Sequence, residues 1–69
     1  SNTGDLEGAV AAYERAVQLR PDSSGYHAAL GRVLRAAGDD GRAREEYRRA
    51  VELDGDNQAA QEALRELSP

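Results

Sequence analysis

His27 lies close behind Ser23 and Ser24, and these are the residue types of a hydroxyl nucleophile and its imidazole base. Such a pair also needs a third group to orient the base. None is placed to do so, and serine before an apolar periodic segment is more simply a helix cap. The run Asp54-Gly55-Asp56-Asn57-Gln58 opens like a calcium loop, with acids at the first and third places. The loop requires glycine at the sixth place and a bidentate glutamate at the twelfth. Ala59 and Arg65 stand there, so the calcium reading fails. Arg42, Arg44, Arg48 and Arg49 form a basic cluster with Glu45 and Glu46 among them. Glu45 can reach Arg48 and Arg49, and Arg42 can reach Glu45 and Glu46, at helical spacing. That reads as a solvated, internally paired face. No catalytic, metal or cofactor site is expected.

The totals narrow the classes further. Sixty-nine residues carry thirteen acids and nine bases, a net charge of −4, and no cysteine. Disulfides, thiolate catalysis and cysteine-based zinc sites are therefore excluded. The acidic balance argues against nucleic-acid or anionic-membrane partners, which select a basic face. No apolar run approaches the roughly 20 residues of a membrane span, and no signal-peptide pattern is present. Below about 70–80 residues one core rarely supplies more than about 3–5 kcal/mol. With neither disulfide nor metal to add to it, a partner or further chain is the resource left. The opening Ser1-Asn2 resembles a protease-cleavage scar, so the chain reads as a fragment of a larger protein.

What would position any of these residues is a repeat. The stretch RRAVELDGD (Arg48–Asp56) echoes ERAVQLRPD (Glu14–Asp22) at an offset of 34 residues. Laid over Gly38–Asp56, the segment Gly4–Asp22 agrees at nine of nineteen positions, including Ala9/Ala43, Tyr13/Tyr47, Ala16/Ala50 and Leu19/Leu53. Beyond Ser23 the agreement decays, as expected of a terminal unit with one face in water. Within each unit the apolar period is helical: Leu6, Ala9, Val10, Tyr13, Ala16 and Val17 form one stripe. Four helices are predicted, over about 5–19, 24–37, 40–53 and 57–67, with no strand pattern anywhere. Ala9, Ala16, Ala43, Ala50 and Gly31 let the helix axes approach, and Tyr13 and Tyr47 are the large knobs beside them.

These residues resemble the tetratricopeptide repeat, a 34-residue helix–turn–helix unit. From Ser24 to Asn57 one whole unit matches without a gap: Leu30-Gly31, Gly38-Asp39, Ala43, Tyr47, Ala50 and Leu53-Asp54. Residues 1–3 are set aside as scar or disorder. Residues 4–23 are the second helix of a partial repeat, 24–57 the complete repeat, and 58–69 a terminal or capping helix. The resemblance implies an all-α fold of antiparallel helix pairs forming a right-handed superhelical fragment. Three positions depart from the family pattern. His27 stands where a large residue such as tryptophan is preferred, implying a looser pocket. Gly55 replaces proline, implying a more mobile corner. Arg65 replaces the small residue found at Gly31, which should prevent close contact with a following helix.

The resemblance implies a non-catalytic protein–protein interaction or scaffolding role. The rival reading is an accessory or self-association segment of a larger enzyme or redox protein, with catalysis outside these residues. In the family the first helix of each unit lines a concave groove for peptides or partner helices. Here that places Ala28, Arg32 and Arg35 opposite Glu62 and Glu66, so either a partner is anchored or the charges neutralise one another. The family's clamp for a terminal carboxylate uses lysine and asparagine, whereas Ala28 and Arg32 occupy two of its places, which disfavours that specificity. A second surface is suggested by Leu6 against Asp40 and Val10 against Arg44. The first helix is the more apolar, so Leu6, Val10, Tyr13 and Val17 are the candidate face for a homodimer.

Overall fold

A computed structural model describes residues 2–68, with side chains described from Asp5 onward. Its elements are α1 (Asn2–Leu19), α2 (Ser24–Ala36), α3 (Asp40–Leu53) and α4 (Gln58–Leu67). The order and type match the expected all-α repeat. α1 starts three residues earlier than its apolar stripe suggested, so Asn2 and Thr3 stand inside its first turn. Ser1, also set aside from the fold, lies outside the described residues.

The helix limits follow from local chemistry. Ser23, Asp39 and Asn57 cap α2, α3 and α4, their side chains accepting from the amides of Tyr26, Arg42 and Ala60. Each satisfies one of the amides that a helix start leaves without a partner. Ser24, also expected to cap, instead donates its hydroxyl to the Ala50 carbonyl at 2.8 Å. α2 ends where Gly38 takes φ +90°, while Asp39 N–H donates to Leu34 O and Gly38 N–H to Arg35 O. This pair of bonds closes a helix end around a residue that only glycine readily supplies. α4 stops sooner: Ser68 is extended, and Pro69 follows it in sequence. The residue before a proline is biased against helical backbone.

α2 packs most extensively on α3, with α1 on one side of this pair and α4 on the other. The core is Leu30, Leu34, Ala43, Tyr47, Ala50, Ala60 and Ala63, flanked by half-buried Val10, Tyr13, Val17, Val33, Val51, Leu64 and Leu67. Ala43 and Ala50 are both 0% exposed. Their methyl groups are what the helix spacing allows. The Tyr47 ring packs directly against Gly31, and a Cβ at that glycine would sit 3.0 Å from two ring carbons. Glycine is thus required in α2 by proximity, although its backbone is ordinary helix.

Ala50→Leu should destabilise the chain by about 1–3 kcal/mol in urea unfolding, since a fully packed site has no room for added methylenes. Gly55→Pro should act in the opposite direction. Pro21 occupies the equivalent corner, where Ser23 N–H donates to Arg20 O as Asn57 N–H does to Asp54 O. Gly55 has no positive φ, and its neighbour Asp54 is extended. Proline should raise stability by about 0.4–1 kcal/mol by restricting the unfolded chain.

Candidate functional site

α2 exposes Arg32 and Arg35 on the side away from its buried Leu30 and Leu34. The two arginines differ in what they meet. Arg35 donates to Glu66 of α4 at 2.7 Å, and this hydrogen bond is the main cause that raises its guanidinium above the ordinary arginine range. That pair neutralises itself. Arg32 forms no ion pair with any described residue. It borders an open recess of about 300 Å³ lined by Gly25, Ala28 and Ala29 of α2, Tyr47 of α3, and Asn57 and Ala59. The recess therefore has alanine walls, a tyrosine floor and one free guanidinium.

Of the five groove residues read from sequence, the structure brings Ala28 and Arg32 together in this recess. It sets Arg35 and Glu66 beside it as a pair and leaves Glu62 exposed outside the lining. Tyr47, Asn57 and Ala59 belong to the recess but were read only as a packing knob and, for the latter two, as part of the failed calcium-like run at the start of the fourth helix. A combined signal was available: Asn57 closes the 24–57 unit and Tyr47 opposes the glycine on the same helix as Arg32. Asn57 is held in place twice, its Oδ1 accepting from Ala60 N–H and its Nδ2 donating to Ser24 Oγ at 2.9 Å. Tyr47 is 5% exposed. Burial raises its phenol above the ordinary tyrosine range, and the charges of Arg35 and Arg32 partly oppose this.

His27 corrects the expectation of a loose pocket. It is 7% exposed, and both ring nitrogens are engaged. Nε2 donates to the Pro21 carbonyl at 2.8 Å, and Nδ1 lies 2.8 Å from Glu46 Oε1. The ring thereby links the α1–α2 corner to α3 by polar contacts where bulk was expected. Glu46 is thus unavailable to Arg42, which instead reaches Glu14 of α1 at 2.7 Å. Glu45 does pair with Arg48, at 3.5 Å, while Arg49 turns to Glu52 at 3.2 Å. Three of the four arginines are paired, partly with other helices and other acids than expected, while Arg44 joins no ion pair among the described residues and its Nε is buried without a hydrogen-bond partner.

Part of the candidate homodimer stripe is engaged within the chain itself. Val10, Tyr13 and Val17 pack against the chain's own core, and Leu6 borders a recess with Ala36 and Ala37 at the end of α2. α2 packs on α1 and leaves Leu6, Val10, Tyr13 and Val17 half-buried, so a symmetric contact through this stripe would use only what that packing leaves open. The more open side of α1 carries Ala12 and Leu19, the latter 74% exposed.

A family model described as tetratricopeptide repeat matches residues 3–67. A similar curated protein is cellulose synthase operon protein C of Xanthomonas axonopodis pv. citri (strain 306), 46% identical over 61 residues. That alignment covers 88% of this chain but only 4% of the relative, so the chain spans a small part of that protein's length. No solved structure matches the chain.

The shifted phenol gives a pH test. Tyr47 is raised in the folded state, so its contribution to stability is complete below the ordinary tyrosine range, about pH 10. That contribution is lost as pH rises through the folded-state value. Ultraviolet titration should show a late-ionising phenol that is coincident with alkaline unfolding. Tyr47→Phe should remove the late component.

Proposed function

We propose that this chain, which belongs to the tetratricopeptide repeat family, is a non-catalytic protein-interaction module that holds an extended peptide over the α2 surface. The observation that carries this reading is the unpaired Arg32 at the rim of the alanine-lined recess. Guanidinium groups favour carboxylates, and a partly enclosed wall strengthens such a bond relative to open water. The alanines admit a small apolar side chain beside it, which fits the usual pocket pattern of apolar lining with few polar anchors. The recognised element is therefore an acidic side chain next to a small apolar one. Arg35 and Glu66 border the groove as a neutral pair, and a partner that engages either must first separate them. Nucleic acid and membrane are not among the partners proposed, since the net charge is negative.

A second reading is favoured by the relative named for a cellulose synthase operon, of which this chain matches a 4% portion. In that reading the chain is an accessory segment of a long protein serving a larger synthase, with any catalysis outside these residues. Affinity capture with the full-length parent protein separates the two, because an accessory segment retains its assembly when Arg32 is altered.

Titration calorimetry with short peptides pairing Asp or Glu with Ala should show binding to the wild-type chain. Arg32→Glu should weaken it by at least about tenfold, some 1.4 kcal/mol. Absence of heat with any such peptide at millimolar concentration would count against the groove.

A further inference from the structure

Among these residues α1 is a second helix without its first, and α4 a first helix without its second. In principle the α1 of one copy could therefore dock on the α4 of another and complete a unit. Copies joined this way make a head-to-tail contact that does not close, which leads to open chains of molecules. Side chains at the two ends decide whether this occurs.

The complete unit shows what docking needs. α3 presents Ala43, Tyr47 and Ala50, and α2 receives them with His27, Gly31 and Leu34, all buried. Gly31 is the tightest point, since even a Cβ there would meet the Tyr47 ring at 3.0 Å. α1 carries the same presenting set at the 34-residue offset, Ala9, Tyr13 and Ala16, and all three are only half-buried. Its docking surface is intact and incompletely covered. α4 lacks the receiving set. Gln61, Arg65 and Ser68 occupy the places of His27, Gly31 and Leu34. Arg65 is exposed, and Gln61 already donates to the Gly55 carbonyl.

The geometry points to Arg65 as a specificity-determining residue that bars a second copy's α1 from α4. At the place equivalent to Gly31 even a Cβ would crowd a docking tyrosine ring, and closing the contact would strip water from a guanidinium that has no ion pair among the described residues. The two ends of the chain are therefore unequal: α1 accepts a first helix with glycine or another small residue facing Tyr13, and α4 accepts no second helix of the α1 type. Copies of this chain do not supply that first helix to one another.

Sedimentation velocity over a concentration series tests this on the 69-residue chain, with circular dichroism reporting helicity. Wild type should show no end-to-end growth. Arg65→Gly should shift to dimers and longer species as concentration rises, and Arg65→Ala should do so less strongly. Arg65→Ala preserves helix propensity and decides the matter if the glycine variant loses helicity. Adding Ala12→Arg, an exposed position whose equivalent Glu46 reaches the first helix, should return either variant to the monomer. The proposal is overturned if Arg65→Ala stays helical and monomeric throughout. It is equally overturned if wild type forms chains that Ala12→Arg disperses.

Discussion

The contact between the Tyr47 ring and Gly31 sets the separation of α2 and α3, and most of the remaining structure adjusts to it. With an aromatic ring lying where a Cβ would otherwise be, the two helices approach closely along their length. Ala43 and Ala50, one turn to either side of Tyr47, then have space for a methyl group and no more. The same residue lines the recess bounded by α2 and the start of α4. Packing and candidate binding surface therefore share one residue. Its burial also disfavours the phenolate, so the interior contact and the character of the groove respond to the same change.

A chain this short has little apolar area to draw on, and polar links at the corners supply part of the missing restraint. His27 bonds to Pro21 and Glu46, while Ser24 joins the Ala50 carbonyl to the Asn57 amide. Each link spans two or three elements and satisfies groups that would otherwise be enclosed without partners. Such bonds are directional, so they specify how α2 enters and how α3 leaves more narrowly than apolar contact would. This accounts for a histidine at a position where bulk alone would suffice to fill space. The exposed pairs Arg48–Glu45 and Arg49–Glu52 lack this leverage, because solvent and salt screen them.

The fold was legible because its determinants are local or periodic. Gly38 and the caps Ser23, Asp39 and Asn57 mark helix ends through bonds within a few residues, and the alanine–tyrosine pattern repeats at a fixed offset. The site was less legible, because its contacts depend on which long side chain reaches across the superhelix. Spacing alone offered Arg42 two acids on its own helix, and it takes Glu14 from another. Glu46 looked available at the surface until the buried ring of His27 claimed it. The first helix is the more apolar one, and part of its stripe packs toward the core beside α2, which is reached only after the chain has turned at Pro21. An apolar excess read from one helix reports the amount of cover without identifying which neighbour provides it.

Differences between equivalent positions can nevertheless identify a neighbour once one complete unit has been seen. Glu46 is matched in α1 by Ala12, and Glu46 is the residue that holds His27 Nδ1. A first helix docking on α1 would meet an alanine methyl at that point. A histidine carried there would keep its bond to a corner carbonyl but have one nitrogen enclosed with no carboxylate, which costs about 1–3 kcal/mol. An apolar residue would instead gain contact with Ala12. The helix that fits α1 therefore differs from α2 at the histidine position and agrees with it at Gly31, where Tyr13 imposes the same limit as Tyr47. Bulk at the first place and its absence at the second, four residues later, together describe a helix that none of the four in this chain supplies.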